Sequence, residues 1–145
     1  MKKDDCIFCK IANGEIPSKT LYEDERFRVI LDLGPATRGH ALVLPKEHFA
    51  NLYELPEEWC REAFALAGRM AGRMTERLSC DGFNLLQNNG EVAGQTVFHF
   101  HIHMIPRYYG DGQTIGGKQG KADQEELEAV RRIICEGEEQ GRGTL

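Results

Sequence analysis

The 145-residue sequence predicts an α+β fold. Three observations predict it. Strand-like runs bounded by Gly and Pro stand at 27–33, 40–44, 83–88 and 97–105. A long helical pattern over 56–79 lies between the second and third of them. A shorter helical pattern follows Asp123.

Composition sets the outer bounds. The length suits one domain with a proper hydrophobic core. Net charge is -5, which argues against nucleic-acid or anionic-membrane partners, both of which need basic patches. Lys2 and Lys3 are not followed by an apolar stretch, so no signal peptide is expected. No run approaches the roughly 20 apolar residues of a spanning helix. A cytoplasmic protein is the expectation. Five cysteines, an odd count, argue against a disulfide framework. Cys60, Cys80 and Cys135 are expected as buried small apolar groups.

The elements follow in order. Residues 6–17 form a turn-rich lead-in ending at Gly14 and Pro17. The runs 27–33 and 40–44, joined across Gly34, Pro35 and Gly39, predict a hairpin stopped by Pro45. Pro56, Glu57 and Glu58 suit the first turn of a helix. Trp59, Ala63, Leu66, Ala67, Met70, Met74 and Leu78 then recur on one helical face, able to cover a sheet. Residues 83–88 make a further strand, and Asn89, Gly90 and Gly94 a flexible connection. Pro106 ends the next strand, and the five glycines of 107–121 predict a mobile loop. Asp123 and Glu126 resemble a capping box opening a helix over 122–136, with Leu127, Val130 and Ile134 on one face. The tail beyond it is polar and expected to fray.

The run 97–105 carries the chemistry. Its odd positions are Val97, His99, His101, His103 and Ile105; its even positions are Phe98, Phe100, Ile102 and Met104. Successive strand side chains point to opposite faces, so this predicts one strand with an apolar core face and a three-histidine working face. His40 and His48 complete the histidine set. Two chemistries compete. Histidine is the commonest metal ligand, but strand positions two apart are separated by about 6.6 Å. Three rings in a row therefore converge poorly on one ion, and the outer histidines should do different jobs. The alternative is nucleophilic catalysis by a neutral imidazole whose other nitrogen is tied down.

The residues from Gly94 through Gln95, Thr96 and Val97 to His99, His101 and His103 resemble the signature of the histidine-triad (HIT) family. Gly39-His40-Ala41-Leu42-Val43-Leu44-Pro45-Lys46-Glu47-His48 is similar to a second segment of that family. The run from Phe27 to Asp32 and the turn Asn88-Asn89-Gly90 are similar to two more. The match covers about residues 6–107 of a single 1–145 domain, with the loop 107–121 and the last helix beyond it. The resemblance implies a five-stranded antiparallel sheet with two helices, and a homodimer whose sheets join into a ten-stranded one.

It also implies an activity. A nucleoside monophosphate, AMP by the family's habit, would be cleaved from an α-phosphate-linked leaving group and released to water through a covalent nucleotidyl-histidine. His101 would be the nucleophile, His103 would donate to the phosphate, and His40 would sit behind His101 and help set its orientation or charge. Gly94, Gln95, Thr96 and Asn88 would contact the phosphate, and Asp32 the ribose. Phe27, Ile30 and Leu33 would wall the base. Some relatives carry structural zinc on an N-terminal C-x-x-C, which here is Cys6 and Cys9, completed by His48 and His99. His99 would then either ligate zinc or only orient its neighbours. The triad does not name the leaving group: phosphoramidates, dinucleoside polyphosphates, nucleotide sulfates and aminoacyl adenylates stay open. A nucleotide-binding or scaffolding role with vestigial activity is the rival reading, and a catalytic metallohydrolase a third.

Overall fold

The computed structural model describes residues 1–136. The chain, read above as one domain, divides into two compact units, Met1–Thr114 and the segment from Ile115 onward. In the first unit the elements run α1 (Ile7–Ala12), β1 (Thr20–Glu23), β2 (Phe27–Leu31), β3 (Ala41–Pro45), α2 (Glu57–Leu78), β4 (Gly82–Leu86) and β5 (Ile102–Arg107). The five strands form one antiparallel sheet in the order β1–β2–β3–β5–β4.

The predicted hairpin is β2 and β3, paired from Phe27 opposite Pro45 to Leu31 opposite Ala41. Period-two alternation sorts its side chains. Phe27, Val29, Ala41 and Val43 enter the core beneath α2; Ile30, Leu42 and Leu44 enter a second cluster on the other face. The predicted helix forms over Glu57–Leu78, with Pro56 as its N-cap and Ser79 at φ 53° as its C-cap. Its buried stripe of Ala63, Leu66, Ala67, Met70 and Met74 is the one its spacing indicates. Burying each of the large members stabilises the fold by about 1.5–3 kcal/mol. Trp59 packs edge-on against Phe27 and Phe49, with Arg26 over its ring.

Four expectations need correction. The turn-rich lead-in is helix α1, capped by the Cys6 sulfur accepting from the Cys9 amide. Residues 97–105 are not one strand: β5 starts at Ile102, and Val97 to His101 form an arm outside the ladder that bends at 97–99. The arm's Phe100 amide bonds the Phe49 carbonyl at 2.6 Å instead of a strand partner. The alternation survives without the ladder, since Phe100, Ile102 and Met104 all reach the core under α2. Phe98 does not; it is half exposed, because the arm leaves the sheet there. Finally, Cys60, Cys80 and Cys135 are only partly buried.

The start of the glycine-rich stretch is pinned. Arg107 grips the Asp111 carboxylate at 2.8 and 2.9 Å and donates to Asn84 and to the Gln113 carbonyl. In the second unit, α3 (Gln124–Cys135) is capped by Asp123, which accepts from the Glu125 amide rather than from Glu126. Leu127, Val130 and Ile134 are exposed. The expected polar tail lies outside the described residues.

Candidate active site

The site lies on the sheet face opposite α2, where β3, β5, the arm before β5 and helix α1 meet. Its histidines form two hydrogen-bonded systems, and fixed backbone partners assign the ring protons in each.

The first system starts at the turn before β3. The Ala36 amide donates to His40 Nδ1 at 2.9 Å, so His40 carries its proton on Nε2. That proton points at His103 Nδ1, 2.9 Å away. His103 Nδ1 is therefore an acceptor, and the neutral ring holds its proton on Nε2. Asp32 flanks the chain, with one oxygen 3.6 Å from His40 Nε2 and the other accepting from the Gly34 amide at 2.7 Å.

The second system runs through the arm. His101 Nδ1–H donates to the His99 carbonyl at 2.7 Å, leaving the Nε2 lone pair free. His99 Nε2–H donates to the Pro45 carbonyl at 2.8 Å, leaving its Nδ1 lone pair free. That lone pair faces the sulfurs of Cys6 and Cys9, each 3.4 Å distant, and His48 Nδ1 lies 3.4 Å from Cys9 Sγ. Burial keeps the rings neutral. It drives His99 down to about 4 and lowers His101, in each case against a carbonyl that pulls the other way. It also drives His103 to about 4, helped by His101 and His40 alongside, and lowers His40 against the pull of Asp32. Burial pushes the Cys9 thiol up, so without a cation the sulfur keeps its proton.

Among the described residues two clusters gather enough donors for a metal ion: Cys6, Cys9, His48 and His99, and Asp32, His40 and His103. The ring protons separate them. In the second, His40 turns an N–H inward, and that N–H is already given to His103. In the first, the His99 lone pair points inward and has no other partner. Around tetrahedral zinc, ligand sulfur and nitrogen stand about 3.5 Å apart. The observed separations of 3.4 Å fit that geometry. Amides of Lys3 and Cys9 donate to the Cys9 and Cys6 sulfurs, an arrangement that suits thiolates.

A cleft of about 380 Å³ opens over His101, His103, Asp32 and Thr96. Of the predicted residues, His101, His103, Asp32 and Thr96 line this cleft; His40 stands behind His103, and His99 faces the cysteines instead. Asn88 lies beside Gly94, whose φ of +94° closes a short turn over Glu91–Ala93. Gln95 is a strut. Its side chain accepts from the Gly90 amide and donates to the carbonyls of Ala50 and Val97, and its own amide bonds Gly90. Of the expected base-pocket residues, Ile30 and Leu33 line the cleft. Phe27 does not; it faces α2. The missed residues are Ile7, Phe8 and Ile11 of α1, which form one wall. Phe8 meets His101 edge-on at 5.0 Å. The sequence held a signal for this: Ile7 and Phe8 sit between the two cysteines, which His99 draws against the triad.

Residues 13–110 match the family model described as HIT domain. The chain belongs to the HIT family. This HIT protein is 45% identical over 130 residues to an uncharacterised HIT-like protein of Methanocaldococcus jannaschii, covering 89% of this chain and 98% of that one. It is 40% identical over 132 residues to an adenosine 5'-monophosphoramidase of Schizosaccharomyces pombe, covering 89% and 95%. An adenylylsulfatase of Arabidopsis thaliana is 38% identical over 140 residues, covering 92% and 71%. A crystal structure from Streptococcus mutans superposes with TM-score 0.87 at 41% identity, covering 92% of this chain and 85% of that one. A Zn-bound histidine triad protein of Mycobacterium smegmatis superposes with TM-score 0.73 at 41% identity, covering 89% and 91%. Cys6 and Cys9 of this HIT protein lie outside the matched residues 13–110.

The buried His103 carries a testable pH dependence. Its folded pKa is depressed from 6.5 to about 4. Stability should therefore be greatest above pH 6.5 and fall as pH drops from 6.5 to about 4, by at most ~1.4 kcal/mol per pH unit for this group. Urea titrations of the native protein and His103→Gln across that window check it. The variant should show the shallower fall.

Proposed function

We propose that this protein is a nucleotide hydrolase that cleaves a nucleoside monophosphate from an α-phosphate-linked leaving group, through a covalent nucleotidyl-His101 intermediate. The observation that carries the reading is the His101–His99 hydrogen bond at 2.7 Å, which ties Nδ1–H to a carbonyl and leaves Nε2 unprotonated beside the cleft. An unprotonated, oriented imidazole is a competent nucleophile.

In the proposed first step His101 Nε2 bonds to the α-phosphorus and the bond to the leaving group breaks, its electron pair going to the leaving atom, which takes up a proton from water. The ring positive charge that results is spread to Nδ1–H, which already has the His99 carbonyl as acceptor. His103 Nε2–H donates to the phosphoryl oxygens as charge develops. In the second step water attacks phosphorus and gives up a proton to solvent, the phosphorus–nitrogen bond breaks with its electron pair returning to His101 Nε2, and the nucleotide leaves with His101 neutral again. Asp32, with one oxygen spent on Gly34, accepts from the ribose through the other. Thr96 and Asn88 contact the phosphate; Gly94 and Gln95 act by shaping the turn that carries them, since their amides bond within it. AMP is the favoured nucleotide. The S. pombe relative is named for a phosphoramidate of adenosine and the Arabidopsis one for a sulfate, so the leaving group is a matter for a substrate panel.

Cys6, Cys9, His48 and His99 hold a structural zinc in this reading. The three sulfur–nitrogen separations of 3.4 Å and the inward His99 lone pair support it. Zinc with four protein ligands keeps no open position, so its contribution is to tether α1 to the arm. The protein acts as a homodimer with a continuous sheet, for which the open edge strand β4 with its half-exposed Leu85 is available. Free cysteines suit a cytoplasmic site. No helix among the described residues is long and apolar enough to cross a membrane.

Incubation with adenosine phosphoramidate and a rapid acid quench should yield an adenylyl adduct by intact mass. His101→Ala should lose the adduct and at least about a thousandfold in turnover while keeping its fold. Turnover by the native protein with no adduct, or turnover by His101→Ala, would contradict the mechanism. Cys9→Ser should lose stoichiometric zinc by elemental analysis and melt at lower temperature. Full zinc occupancy in that variant would rule out the ligand set.

A further inference from the structure

A second groove, of about 410 Å³, lies on the opposite side of the sheet, between the C-terminal half of α2 and strands β1 and β2. Its floor is apolar: Leu21, Leu31, Met70, Met74 and Leu78. Its rim is Arg38, Arg73 and Arg77. The turn at Gly39 closes one end, where a Cβ would stand 2.5 Å from the Leu78 side chain.

Three arginines converge on this groove. Arg26, Arg28, Arg61, Arg107, Arg131 and Arg132 each hold a carboxylate within 4 Å. Arg38, Arg73 and Arg77 hold none among the described residues, and neither does Arg69 one turn before Arg73 and outside the groove, although the chain has an acidic surplus of five charges. Arg73 and Arg77 stand four apart on one helix, where like charges oppose each other. A guanidinium presents planar paired donors that match a carboxylate or phosphate. An apolar trough with unneutralised guanidiniums along its rim fits a ligand with an apolar tail and an anionic head. Its volume lies within the ordinary range of small-molecule sites.

We propose that this groove binds a medium-chain amphiphile with a carboxylate or phosphate head, the tail lying over Met70 and Met74 and the head held by Arg73 and Arg77, with Arg38 opposite. The site takes no part in the nucleotide reading and stands or falls without it.

The test uses the full-length protein with methionine methyls labelled with carbon-13, titrated with decanoate, decyl phosphate, decanol and acetate. The two anionic amphiphiles should shift the Met70 and Met74 methyls saturably, leaving Met1 unmoved. At least one should bind tenfold or more tighter than decanol, and acetate should not shift them. Whichever head binds tighter identifies the source as a fatty carboxylate or a phosphate ester. The variant R73Q/R77Q should lose that tenfold preference while keeping the native circular dichroism spectrum and a cooperative melt, which show that it is folded. Equal binding of decanol and both anions, or an unchanged preference in the variant, would overturn the proposal. Shifts of Met70 and Met74 on dilution alone would place a second copy of the chain in the groove and overturn it as well.

Discussion

His99 is the residue on which the rest of the site depends. Its Nε2–H is anchored to the Pro45 carbonyl, its Nδ1 faces Cys6 and Cys9, and its carbonyl receives the proton of His101. One residue thereby joins the end of β3, helix α1 and the candidate nucleophile. The hydrogen bond to Pro45 sets the tautomer that offers a lone pair to the cysteines. The backbone that carries this ring must then present its carbonyl to His101. Each assignment forces the next, and each rests on a backbone group that has no protonation choice of its own.

The fold serves this residue by covering both faces of the sheet. On one face α2 packs the Phe27, Val29 and Val43 side of the strands into the main core. On the other, Ala12, Ile30, Leu42 and Leu44 make a smaller cluster with Phe8 and Ile11 against it. Six residues of helix bury too little to hold themselves in place. The Cys6 and Cys9 sulfurs meet the His99 ring at 3.4 Å, and Phe8 between them lies against His101. The wall of the cleft and the orientation of the nucleophile therefore share a mount. The His40–His103 pair is separate, built from the turn before β3 and from β5 itself, and it reaches the same cleft from the sheet side.

Much of this was legible in the sequence, for physical reasons that differ by element. The α2 stripe, the β2–β3 hairpin and the gathering of His40, His99, His101 and His103 follow from periodicity and from similarity of motif. Strand spacing predicts different jobs for the outer histidines, and in the structure His99 faces the cysteines while His101 and His103 face the cleft. Strand β1 was not legible. It is four residues long, lies at the sheet edge and leaves only Tyr22 partly buried, so it has no alternation to read. Helix α1 is too short for a helical period to register. The arm before β5 alternates like a strand in sequence, but its backbone bends at 97–99 and its hydrogen bonds go to Phe49 and within the arm rather than to a ladder. Phe27 is instructive in another way. It lies an odd number of positions from Asp32, so strand parity alone puts it on the opposite face, while Ile30 shares the face of Asp32.

The tautomers of the histidine rings test the account at its centre. Nitrogen-15 shifts of the five histidines, read from long-range proton–nitrogen correlations on the zinc-loaded protein at neutral pH, distinguish protonated from bare ring nitrogens directly. The account predicts a proton on Nδ1 and none on Nε2 for His101, and a proton on Nε2 with none on Nδ1 for His99, His40 and His103. A proton on Nε2 of His101 would contradict it, since no lone pair would then face the cleft.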